Sequence, residues 1–292
     1  MVISLLFIGF LLSSPAPVSK PRALPELVFS LKPDKNPDAM IAERESLQKF
    51  LSQILDRKVR VIVPQSAAVI IEGFKNSQID LAFIGSVDML EAKNKKSAEI
   101  LAAVSFNGKT SYESYWLTSK DKSYQSLADL KGSPVAFASR TSTSGYLIPW
   151  DAMIQAGQLS QGQNPEIFFG RSNVLFGSGY VSAVQMLFAG RAEAAAVSDY
   201  VFLTDSYLSK VEKSKLRILQ KQGPVPTHVL AMRKSLSPDE KQQLTKIVST
   251  LNLKENNLLR DKLFNSELVS VNEDEHLAPT KQALERTRIR LN

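Results

Sequence analysis

The segment Asp129 to Gly157, DLKGSPVAFASRTSTSGYLIPWDAMIQAG, carries the richest chemistry in this 292-residue chain. Ser142, Thr143 and Ser144 stand just before Gly145, where a strand has ended and a helix is expected to begin. Gly157 stands where a C-cap glycine closes such a helix. Backbone N–H groups at a helix start, the positive end of the helix dipole and three hydroxyl donors then converge on one place, which is a cradle for an oxyanion. Glycine at 145 removes a Cβ that would hinder close approach, and serine and threonine donate without adding charge. Ser and Thr also cap helices that bind nothing, and the spacing alone leaves both readings open.

Other chemistries find little to work with. There is no cysteine, which excludes a disulfide framework, thiolate metal ligation, a cysteine nucleophile and a lipidated N-terminal cysteine. The two histidines, His228 and His276, argue against a multi-histidine metal site or a serine–histidine hydrolase. No Walker-type loop, metal-spaced carboxylate cluster or nucleophile–base pair is visible, so neither an enzyme nor a cofactor is expected. Net charge is +7, from 36 basic and 29 acidic residues, which suits a protein that meets anions. The basic residues are scattered; Lys93, Lys95 and Lys96 and the Arg286, Arg288, Arg290 group read as solvated helix faces, and nucleic-acid binding is not expected.

The elements that position the cradle follow an α/β plan. LVFSL (27–31) reads as a buried strand, 38–56 as a helix with Ile41, Leu47, Phe50, Leu51, Ile54 and Leu55 on one face, and 59–63 as a second, parallel strand. A helix at 66–76, the strand 80–84 and a helix at 87–93 follow, and strands are expected at 113–119, 135–138 and 228–233. Helices are expected at 238–252 and from 256 to the end, while Phe168 and Phe169 read as core strand residues and Trp116 and Trp150 as lobe-surface residues. Aligning QIDLAFIGS (78–86) with RAEAAAVSD (191–199) pairs Asp80 with Glu193, an apolar strand with an apolar strand, and suggests two similar lobes. The first crossing is expected between 119 and 135 and the return between 204 and 222. That makes 24–118 and 219–292 lobe one and 119–218 lobe two, with an interlobe cleft for the ligand. MVISLLFIGFLLSSPAPV at the N-terminus reads as a secretion signal within 1–23, although no basic residue precedes its apolar run.

These segments together resemble the phosphate/phosphite/phosphonate-binding family of periplasmic ABC-transporter substrate-binding proteins. DLKG, a strand and STSGYLIP resemble the family's phosphoryl-gripping segment. QIDLAFIG resembles its GxIDLAWLGP strand, Asn107-Gly108-Lys109 with Tyr112 resembles its xGKxxYxS segment, and Ser182 to Asp199 resembles its xVxxGxxDAGAxxD region. The resemblance covers roughly residues 27 to 250. It implies a bilobed α/β periplasmic binding protein, type II-like, with Ser142, Thr143, Ser144 and Gly145 on the phosphoryl oxygens and a phenolic hydroxyl from Tyr112. It further implies that Asp199 lines the opposite wall, where a carboxylate accepts a hydrogen bond from a P–OH and repels sulfate. Tyr180-Val181 replaces the family's usual polar and acidic pair, and Gly85-Ser86 replaces its Gly-Pro, so Tyr180 and Ser86 are candidate neutral donors. The expected function is capture of a phosphate-like or phosphonate-like anion by a periplasmic monomer that feeds an ABC permease in the inner membrane. A sensory or accessory role on the same scaffold is the alternative.

Overall fold

The structure is a computed structural model and describes residues 25–32, 37–264 and 266–291. The expected signal within 1–23 lies outside the described residues. The chain first builds β1 (Glu26–Ser30), α1 (Pro37–Leu55), β2 (Lys58–Ile62), α2 (Ala67–Lys75), β3 (Leu81–Ile84), α3 (Ser86–Asn94) and β4 (Ala98–Ser105). It continues with β5 (Ser111–Ser119), β6 (Val135–Phe137), α4 (Ile148–Gln155), α5 (Glu166–Phe169), β7 (Val174–Phe176), α6 (Tyr180–Phe188) and β8 (Ala194–Ser198). Next come α7 (Asp199–Leu203), α8 (Lys210–Ser214), β9 (Leu216–Pro226), β10 (Val229–Arg233), α9 (Pro238–Leu251), α10 (Asn257–Phe264), β11 (Glu267–Val269) and α11 (Glu273–Thr287).

Two mixed sheets result, ordered β11-β4-β10-β3-β1-β2 and β7-β6-β8-β5-β9. In the first, β1 pairs in parallel with β2 and β3, while β10 runs antiparallel between β3 and β4. In the second, β6 pairs in parallel with β7 and β8, and β5 runs antiparallel between β8 and β9. Each sheet is buried on both faces, which explains why its central strands are near-continuous apolar runs rather than alternating ones. Leu27, Phe29, Leu81 and Phe83 face α1, α9 and α10, whereas Val28, Ala82 and Ile84 face α2 and α3. In the second sheet Trp116, Val135 and Phe137 pack with Trp150 and Phe169 on one face, and Leu117, Ala136 and Val197 pack with α6 on the other.

The sheets correct the expected lobe boundaries. β5 was expected to end lobe one, but it pairs with β8 and β9 in the second sheet, so lobe one holds 26–105 and 229–269 and lobe two holds 111–226. The crossings are the tight turn Phe106–Lys109, closed by two backbone hydrogen bonds of 2.8 and 2.9 Å, and the dipeptide Thr227-His228. Asn107 and Gly108 take positive φ there, as a two-residue turn of this hand requires. Thr227 ties the crossings together: its N–H donates to the Thr110 carbonyl and its hydroxyl to the Val104 carbonyl. α11 braces both lobes, since Arg286 forms a two-pronged ion pair with Asp151 of α4 while Lys93 of α3 pairs with Glu273 and Asp274. The expected helix from 256 onward is therefore α10, β11 and α11. Phe168-Phe169 is helical rather than a strand, and Trp116 and Trp150 are core residues rather than surface ones.

Candidate functional site

β6 ends at the interlobe cleft, and the chain turns there through 138–142 into a wide helical turn, Thr143–Leu147, before α4. Pro149 explains the width. It has no N–H to donate to the Gly145 carbonyl, which instead accepts from the Ala138 N–H at 3.0 Å, and Leu147 N–H reaches back five residues to the Ser142 carbonyl. Ser142 Oγ caps the turn by accepting the Gly145 N–H at 3.0 Å. A Cβ on Gly145 would lie 2.4 Å from the Ala138 Cβ and 2.8 Å from Ser142 Oγ, so glycine is required here by packing against the strand end.

Beside this turn lies a cavity of about 200 Å³ between the lobes. Lobe one contributes Lys32, just past β1, and Gln65, Ser66 and Ala67 at the start of α2. Lobe two contributes Ser139, Thr141 and Ser142 from the turn, and Gly179 and Tyr180 at the start of α6. Two nine-residue helices from opposite lobes thus present their N-terminal residues to one space, where unpaired N–H groups and dipole ends favour an anion. The volume is below the roughly 300–1,000 Å³ of drug-sized sites.

Of the residues singled out in the sequence, Ser142 and Tyr180 line this cavity. Thr143 and Ser86 meet across the cleft with hydroxyls 3.1 Å apart, and Thr280 of α11 donates to Ser86 at 2.8 Å. Tyr112, Ser144 and Tyr180 form a buried hydroxyl chain with spacings of 3.2 and 2.8 Å. Burial pushes the Tyr112 phenol well above its usual value, so it stays protonated and donates to Ser144, whose hydroxyl shares a hydrogen bond with the Tyr180 hydroxyl. Ser114 fixes the same turn by donating to the Ser144 carbonyl at 2.6 Å.

Asp199 is not at the cavity. It opens α7 on a separate groove near the crossings, where its carboxylate accepts the Glu113 N–H at 3.0 Å and the Tyr200 N–H at 2.7 Å. Burial raises its pKa in spite of those donors. Arg140 stacks over the Phe176 ring, and Arg171 is exposed. His228 is buried against the Phe83 and Tyr112 rings beside the crossing.

Of two residues that the sequence reading passed over, Lys32 lines the cavity and Asp88 lies behind it. Lys32 Nζ lies 3.7 Å from Asp88 Oδ2, and Asp88 is fully buried in the first turn of α3. Burial raises the Asp88 pKa; Lys32 and, more weakly, the Thr141 hydroxyl and the Gly85 N–H pull it down, while Glu91 adds to the rise. The signal for Lys32 was its place at the carboxyl end of a central strand, where α/β sheets gather ligand contacts.

Comparison with known proteins bears on this geometry. A model of the ABC transporter, phosphonate, periplasmic substrate-binding protein family matches residues 29–275, most of the chain. The chain belongs to that family. A phosphate-import protein, PhnD, of Mycolicibacterium smegmatis is 26% identical over 213 residues, 71% of this chain and 66% of that protein. A probable ABC transporter phosphite-binding protein, PhnD1, of Prochlorococcus marinus is 29% identical over 160 residues, 53% of this chain and 52% of that protein. The chain thus spans just under two thirds of the first relative and about half of the second. Among solved structures, the binding component of an ABC phosphonate transporter from Pseudomonas aeruginosa superimposes with a TM-score of 0.78 at 21% identity, covering 89% of this chain and 85% of that one. The bilobed α/β fold is shared with that structure.

Proposed function

We propose that this chain is the solute-binding component of an ABC importer and that it captures a small phosphorus oxyanion, such as phosphate, phosphite or a short phosphonate, in the interlobe cavity. The observation that carries the reading is the convergence of two helix starts from opposite lobes with the Thr141–Ser142 hydroxyls on one small space. Ser142 and Tyr180 donate to the ligand oxygens. Ser144 and Tyr112 hold Tyr180 in its donating orientation, and Gly145 lets the turn sit against the strand end. Ser86 and Thr143 act as the contact that forms when the lobes close over the ligand. Asp199 has a hinge role, tying the start of β5 to α7, rather than a ligand role. No bond is broken in this function: binding closes the cleft, and release to a permease opens it. The chain acts as a periplasmic monomer in this reading.

A calorimetric and thermal-shift screen of the chain against phosphate, phosphite, methylphosphonate, 2-aminoethylphosphonate and sulfate tests it. Saturable binding of at least one phosphorus oxyanion with a matching rise in Tm is expected. Failure of every one of them to bind or stabilise the chain would remove this reading.

A further inference from the structure

We propose that Lys32, on the wall of the interlobe cavity, and Asp88, behind it, form a charge-reading pair: Lys32 contacts the bound oxyanion, and Asp88 positions its ammonium so that the site favours a singly charged tetrahedral oxyanion over a doubly charged one. This inference rests on the cavity being the oxyanion site. Lys32 is the one charged side chain lining the cavity among the described residues. Its side chain is only 14% exposed, and its ammonium is seated against the start of α3. A Cβ placed on Gly85 would lie 3.3 Å from Lys32 Nζ and 3.7 Å from both Asp88 Oδ2 and Thr143 Oγ1. A cation, a carboxylate and a hydroxyl from the other lobe therefore converge in front of Gly85.

Asp88 is built to serve Lys32. Its side chain is 1% exposed, yet neither oxygen has a well-formed hydrogen bond among the described residues, although a carboxylate readily accepts several. Asp199, by contrast, spends its oxygens on backbone N–H groups. The acceptor capacity of Asp88 is directed at the ammonium 3.7 Å away. The other charged group acting on Asp88 is Glu91 on its own helix, while Gly85 and Thr141 are neutral neighbours.

The charge sum gives the selectivity. With Asp88 ionised the pair is neutral, and the remaining lining donors are hydroxyls, an amide and backbone N–H groups. A monoanion then leaves the pair and ligand at a net charge of −1. A dianion leaves them at −2 in a poorly solvated site, and the cheapest relief is a proton taken up by Asp88, which turns the pair into a net cation. Binding of a fixed dianion is thus linked to protonation of Asp88 more strongly than binding of a fixed monoanion is.

The test uses the full chain in calorimetric titrations with inorganic phosphate, sulfate and methanesulfonate, with Tm recorded for every variant. K32M should weaken phosphate binding roughly tenfold or more. D88N, which makes the pair a permanent cation, should lower the phosphate-to-sulfate preference roughly tenfold, and D88E should restore it. In the unaltered protein, sulfate binding should strengthen as pH falls, and more steeply than any methanesulfonate binding, a readout that needs no variant to fold. Unaltered phosphate affinity in K32M, equal shifts for both anions in D88N, or a flat sulfate profile overturns the pair and leaves the cavity reading standing. Absence of any phosphorus oxyanion binding in the unaltered chain overturns both.

Discussion

The β3 unit of lobe one and the β8 unit of lobe two are built to one plan and used in two ways. Each strand lies between a parallel and an antiparallel neighbour at the middle of its sheet. Each is preceded by an acidic residue and followed by a helix with a carboxylate in its first turn. Asp80, before β3, is locked in: it accepts the Val28 N–H at 2.9 Å and a guanidinium nitrogen of Arg233 at 2.7 Å, both partners being almost fully buried. Glu193, before β8, pairs with the exposed Lys122 at 2.9 Å and takes a hydrogen bond from Tyr124. At the other end, Asp88 faces a lysine across the cavity wall and Asp199 is tied to the start of β5. The strand plan therefore fixes where a carboxylate is presented, and the neighbouring element decides what it does: a lysine follows β1, and the start of β5 offers the Glu113 N–H.

The largest expected effect in this comparison is Asp80→Ala, which strands Arg233 in the core and should cost about 3–5 kcal/mol in denaturant unfolding. Gly145→Ala comes next: the new methyl meets the Ala138 side chain, and overpacking of this kind should cost about 1–3 kcal/mol with a fall in Tm. Asp199→Asn should leave oxyanion selectivity where it was, in contrast to the change at Asp88, and should act on stability instead. Because burial raises its pKa above the usual 3.8, the native state holds a proton that the unfolded chain has already lost across that window. Stability should therefore fall as pH rises from 3.8 towards the raised value, and Asp199→Asn should flatten that part of the profile. Glu193→Ala should give the smallest change, a minor fraction of the Asp80 loss, since pairs with an exposed lysine contribute little.

Local pattern carried much of this fold. The expected strand 27–31 is β1, and the expected helices at 38–56 and 238–252 are α1 and α9 within a residue or so, because their apolar residues keep helical or strand spacing against a two-faced sheet. Sheet membership was illegible. β5 is buried along most of its length whichever sheet it joins, and its pairing with β9 links residues about a hundred positions apart, a long-range choice that no local period records. Phe168-Phe169 looked like a strand because two aromatics in a row carry no period, and Trp116 fills the space above the small side chains of β8. At the site, the STSG turn was readable from residue type, and the cleft contact between Ser86 and Thr143 follows from strand ends meeting. Asp88 was not, since alone it is an ordinary acidic residue in a first helical turn, and Lys32 had only its place after a strand end to mark it; their burial together singles them out.

The most direct test of the account is a crystal structure of the chain grown with the phosphorus oxyanion that binds best in calorimetry. The account predicts the phosphorus between the lobes, its oxygens within hydrogen-bond reach of Ser142, Tyr180, Lys32 and the first N–H groups of α2 and α6. An ion in the groove beside Asp199, or none in the interlobe cavity, would contradict it.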